Sequence, residues 1–136
     1  MRIVRKSKGS GNADVTQTVQ QMTQKMLGKQ LYVVHTTPVA PREQIMALLP
    51  ANLEHQIKLE KAGIMFGARP VVSEDGSAAG GLIVIRAASF EAAKKIADSD
   101  PLHKAGPRSY RIRQWTVNEG CYSRRINYSD QSVTIE

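Results

Sequence analysis

Apolar positions change period several times along this chain, and each change marks an element. Between residues 14 and 27, Val15, Val19, Met22 and Met26 recur at intervals of four, three and four, which is the α-helical period. Asp14 stands where a cap belongs and Gly28 where such a helix stops. The other face is mostly Gln, Thr and Lys, so this is an amphipathic helix with a narrow stripe, suited to packing on the domain or on a partner subunit. Residues 31–37 are β-branched and aromatic, and Pro38 and Pro41 close the run. They predict a strand with Leu31, Val33 and His35 on one side and Tyr32, Val34 and Thr36 on the other. The helical period returns over 42–62 through Ile45, Leu48, Leu49, Leu53, Ile57 and Leu59, ending at Gly63. Pro50 lacks the N–H that the helical ladder needs, so a kink or fresh start is expected there, with 51–62 as the continuous part.

Strands over 64–73 and 81–87 flank a turn built on Asp75, Gly76 and Gly80 and form a hairpin. Ser89 is placed to cap a helix over 90–98, whose Ala92, Ala93, Ile96 and Ala97 suit close approach to a sheet. Residues 109–117 alternate as a last strand, with Tyr110 and Ile112 on one face and Arg111, Arg113 and Trp115 on the other. The order is therefore βαββαβ. Two β-α-β units joined by a hairpin give an α+β, ferredoxin-like domain over 30–120, with a four-stranded antiparallel sheet and both helices on one face. A helical prefix (13–29) precedes it. A tail (121–136), rich in Tyr, Ile, Val and Thr, reads as an added strand or as a loose C-terminal arm. The open face of the sheet carries too many apolar and aromatic groups to be left wet, and a face-to-face homodimer would cover it.

Composition narrows the picture in four places. A chain of 136 residues with 41% apolar content supports one domain with a real core. No apolar run approaches the roughly 18 residues of a membrane span, and no signal peptide is evident, so a soluble, cytoplasmic protein with no membrane partner is expected. The net charge of +7 would suggest nucleic acid, but Arg2, Arg5, Lys6 and Lys8 supply four of those charges within residues 1–12, where no acidic residue occurs. With Gly9, Ser10 and Gly11 following, that segment reads as a flexible basic leader. RNA-recognition domains share the strand order but stack bases on aromatics of the middle strands; the third strand here, GLIVIRA, has none, so no nucleic-acid partner is expected. Cys121 is the only cysteine, which rules out an intrachain disulfide and a thiolate cluster.

Candidate chemistry rests on few residues. His55 lies in line with Leu48 and Leu59, at the edge of an apolar stripe, so its imidazole faces the sheet. Asp100 precedes Pro101 in DPLHKAG, which reads as one helical turn capped by Asp, opened by Pro and stopped by Gly. A structural role suffices to explain each residue alone. From its position Asp100 could also reach over the sheet toward His55. A carboxylate bonded to one ring nitrogen would fix the tautomer and make the other a general base. His35 could line a cavity if the Leu31 face turns toward the helices, Arg69 could hold an anionic substrate, and His103 is expected at the surface. Three histidines without clustered spacing give no metal signal, and the glycines make no phosphate loop; neither metal nor organic cofactor is expected.

The runs NLEHQIKLEKAGIMFGARPVVSEDG, GGLIVIRAASFEAAKKIADSDP and YRIRQWTVNEG together resemble the YCII-related family of small dimeric α+β barrel proteins. The specific elements are the helix histidine, the Gly before the second strand and the Asp-Pro after the second helix. The resemblance implies a paired His and Asp in a pocket, which by position are His55 and Asp100; His35 and Arg69 stay candidate substrate contacts on the residue reading alone. It also implies relatives in aromatic breakdown, including a dehydrochlorinase of chlorinated hydroxyquinones and, by fold, muconolactone isomerases. The expectation is a cofactor-independent acid/base enzyme, a lyase or isomerase, acting on a small cyclic substrate. The alternative is a non-catalytic ligand-binding or assembly protein of the same fold.

Overall fold

The computed structural model describes residues 12–136, with side chains from residue 18 onward. Two compact units emerge, one over 30–116 and one formed by the segments on either side of it.

The central unit begins with β1 (Lys29–Pro38), followed by α2 (Arg42–Lys61), β2 (Met65–Val72), β3 (Ala78–Ile85), α3 (Phe90–Asp98), the single turn α4 (Pro101–Lys104) and β4 (Arg108–Val117), α1 lying before it in the chain. The four strands form one antiparallel sheet in the order β2-β3-β1-β4, the ferredoxin-like arrangement expected of the element order. Tyr32, Val34 and Thr36 of β1 pair with Ile85, Ile83 and Gly81 of β3. Directly paired residues share a side of a sheet, so these form the inner face. There Tyr32, Val34, Ile83 and Ile85 are buried with Ala93 and Ala97 of α3, and Tyr110 and Ile112 of β4 pack against them. The alanines let α3 approach closely, as their small size suggested.

The caps are where local chemistry placed them. Ser89 Oγ accepts the Ala92 N–H at 3.1 Å, and Asp100 accepts the Leu102 N–H at 2.9 Å. Two boundaries differ from expectation. Helix α2 runs unbroken through Pro50: Pro50 and Met46, whose carbonyl loses its partner, are both exposed, so water can satisfy that group. Strand β3 starts at Ala78, because the turn closes earlier, with the Ser77 N–H donated to Asp75 Oδ1 at 2.9 Å and Gly76 N–H to Ser73 O at 2.8 Å. Gly80 thus lies inside the strand at φ +82°, where any Cβ would collide with the Thr36 carbonyl; only glycine fits both demands.

In the other unit, α1 (Asn12–Gln24) begins before Asp14, which falls in its first turn, and Gly28 follows at φ +62°. Strands β5 (Arg124–Ile126) and β6 (Val133–Ile135) pair as a short hairpin, so the tail forms a sheet of its own. The basic leader lies, through residue 11, outside the described residues. No helix among the described residues is long and apolar enough to cross a membrane.

Candidate active site

Helix α2 places Asn52 and His55 three residues apart on its sheet-facing side. The Asn52 amide donates to both carboxylate oxygens of Asp100, each at 2.9 Å. With the Leu102 N–H, the carboxylate accepts three hydrogen bonds while only 4% exposed. A buried charge needs such partners, and here they tie α2 to the start of α4.

His55 is half-buried, and its Nε2 lies 3.2 Å from Ser99 Oγ. The single Ser99 hydroxyl proton goes to the Ile96 carbonyl at 2.5 Å, so the hydroxyl oxygen accepts from His55 Nε2–H. Nδ1 is then the basic nitrogen of the neutral ring. Among the described residues no direct hydrogen bond joins His55 to Asp100. Ser99 takes the orienting role expected of the carboxylate, because capping α4 and holding Asn52 engage both Asp100 oxygens. The two side chains nevertheless border one small void of about 10 Å³ between α2 and the sheet, with Val34 and Ile83 on its wall. That is close to the room needed by a single water.

His103 corrects the expectation of a surface residue. It is half-buried, with Nδ1–H donated to the Ala97 carbonyl at 2.7 Å and Nε2 accepting the Thr36 hydroxyl at 2.8 Å. Both ring nitrogens are engaged, and the ring lies 4.6 Å from that of Tyr110. The Tyr110 hydroxyl donates to Asp98. Burial first, then the hydrogen bond and charge of Asp98, push the phenol up to about 12.

A larger cavity of about 80 Å³ opens on the other side of Asp100, walled by Thr36, Leu49, Asn52, Leu53, Gly81 and Arg108. Arg69 borders it from edge strand β2, with its carbonyl beside Gly81, but it pairs with Leu82 and so shares the open side of the sheet. His35 does not line the cavity. The Tyr32 face, not the Leu31 face, turns toward the helices, so His35 lies exposed on the open side, opposite Leu82, with Nε2 3.3 Å from the Ala79 carbonyl.

Three residues of this region escaped the sequence reading. Asn52 had a signal, as a polar residue seven after Ile45 and three before His55 on the packed face. Arg108 had one too, since it shares the alternation of Tyr110 and Ile112. Ser99 had none. Among the described residues no three His, Cys, Asp or Glu side chains are grouped to hold a metal.

A ferredoxin-like domain with a buried carboxylate and an oriented imidazole beneath its first long helix defines the class of protein. The YCII-related domain matches residues 29–116, well over half of the chain, and the chain belongs to that family. Among solved structures, the chain resembles the 5-chloro-2-hydroxyhydroquinone dehydrochlorinase of Burkholderia phenoliruptrix, determined in complex with 2,5-dihydroxybenzoquinone. Identity is 17%, the TM-score is 0.52, and the match covers 62% of this chain and 92% of that one. At that identity the likeness concerns the fold. No curated protein matches the sequence significantly.

Proposed function

We propose that this protein is a small acid/base enzyme that acts, without metal or organic cofactor, on a cyclic, oxygen-bearing substrate of the kind met in aromatic breakdown. The observation that carries the reading is the placement of His55 and Asp100 on one void, with the imidazole tautomer fixed by Ser99. His55 is the base that holds the substrate's proton, passed to it from the larger cavity by way of Asp100 and one water, and Asp100 stabilises the imidazolium that forms. In a dehydrochlorination the electron pair of the broken bond to hydrogen forms a new π bond as the carbon–chlorine pair leaves with chloride. In a lactone isomerisation the same proton returns at another carbon. The family and the dehydrochlorinase neighbour favour the first.

The test is turnover of 5-chloro-2-hydroxyhydroquinone and of muconolactone by the wild type, His55→Ala and Asp100→Asn. At least a 100-fold loss of kcat in His55→Ala is expected, within the usual range for removing a general base. Undiminished turnover in both variants would sink the assignment. A non-catalytic ligand-binding reading draws on one specific observation: all three hydrogen bonds to Asp100 serve the framework. It predicts binding without turnover.

We also propose that the functional form is a homodimer built on the open face of the sheet, where Phe66, Leu82 and Trp115 are 50%, 39% and 43% exposed. The middle strands carry Val33, His35, Leu82 and Val84 there, a surface that suits a second apolar sheet.

A further inference from the structure

Arg108 enters the 80 Å³ cavity from the first residue of β4. By alternation with Tyr110 and Ile112 it belongs to the inner face. Its Nε is buried and has no hydrogen-bond partner among the described residues. A Cβ added at Gly81 would lie 3.7 Å from Arg108 Nη1 and 3.2 Å from Thr36 Cγ2. The guanidinium therefore extends from β4 past β1 to the middle of β3, within contact distance of the point where a side chain at 81 would begin.

Within the described residues no carboxylate lies in ion-pair range of this group; the pair that does form, Lys58 with Glu54, is on the surface. Asp100 borders the same cavity, but Asn52 and the Leu102 N–H hold its oxygens. A guanidinium cannot shed its charge by losing a proton in a protein, and a buried N–H without an acceptor is costly. Such a donor is best satisfied by something that enters the cavity. The Nε–H and Nη–H groups form a planar fork that fits two oxygens of an anion, and the neighbouring Leu49, Leu53, Ile83 and Leu102 offer apolar contact to a ring.

We infer that Arg108 anchors an anionic oxygen of the substrate, a carboxylate or the enolate of a hydroxyquinone, and thereby sets which end of the ring faces Asp100. The negative charge of Asp100 in the same cavity keeps the anion at the Arg108 end. This assignment rests on the proposed reading for the ring chemistry of the substrate, but binding rather than turnover decides it.

The experiment compares calorimetric binding of 2,5-dihydroxybenzoquinone, whose acidic hydroxyls ionise at neutral pH, with that of neutral 2,5-dimethoxybenzoquinone, using the full chain. The wild type should prefer the anion by about tenfold or more, the scale of a charge-assisted hydrogen bond, and Arg108→Gln should erase that preference. Arg108→Lys keeps the charge but loses the fork, and should lose most of the preference; it decides the matter if Arg108→Gln fails to fold. Equal binding of the two quinones by the wild type, or an intact preference in the variants, overturns the assignment. Arg108-dependent binding without turnover removes the acid/base reading and leaves this one standing. Turnover that needs His55 while anion preference ignores Arg108 does the reverse.

Discussion

Tyr110 donates its hydroxyl to Asp98 beside the His103 ring, and burial pushes its ionisation up to about 12. A tyrosine in an unfolded chain ionises near about 10. Between those two values the unfolded chain gives up its proton first, so the contribution of Tyr110 to stability is complete below pH of about 10 and declines as pH rises toward about 12. Tyr110→Phe should remove the phenolate absorbance step near pH 12 and flatten the alkaline fall in stability; an unchanged titration would show that another tyrosine carries that step. At this scale the sequence was half readable. The Asp-Pro cap and the helix histidine follow from local chemistry, and both sit where that chemistry puts them. Their partners do not follow, because Asn52 reaches Asp100 across 48 residues and Ser99 reaches His55 across 44. Spacing rules cover one or two helical turns, and such meetings are made by the fold.

Helix α2 shows where element-level reasoning stops. Its apolar period was legible, whereas the passage through Pro50 depends on whether the freed Met46 carbonyl meets water, which is a matter of position in the folded domain. Proline inside a helix costs about 3 kcal/mol, partly offset by the stiffness it gives the unfolded chain. Pro50→Ala should therefore stabilise the protein by about 1–2 kcal/mol, seen as a higher urea midpoint at unchanged slope. A lower midpoint would mean that Pro50 holds a bend that α2 requires. In β1 the alternation itself was clear, but which side faces the helices was left open. Packing of Tyr32 and Val34 with Ala93 and Ala97 of α3 settles it and puts His35 outside.

For the whole molecule, the open sheet face is the feature with the largest consequence for assembly. Phe66 and Trp115, from the two edge strands, meet edge to face with ring centroids 6.3 Å apart, leaving an apolar surface of the kind that oligomers cover. Sedimentation should find a dimer for the wild type and a monomer for Trp115→Lys; a monomeric wild type would end the dimer proposal. The four-stranded order was legible because hairpin and crossover rules leave few alternatives. The cavity was not, because it exists between elements rather than on any of them. Thr36, Asn52, Gly81, Asp100 and Arg108 come from β1, α2, β3, the α4 cap and β4, so no fragment of the chain could carry the site. A molecule seated there acts as a removable staple across most of the domain. Occupancy and folding then become one linked equilibrium, and a ligand at 100 times its Kd adds about 2.7 kcal/mol to stability. A melting-temperature screen of small ring acids would read out the chemistry of the site without any assay for turnover.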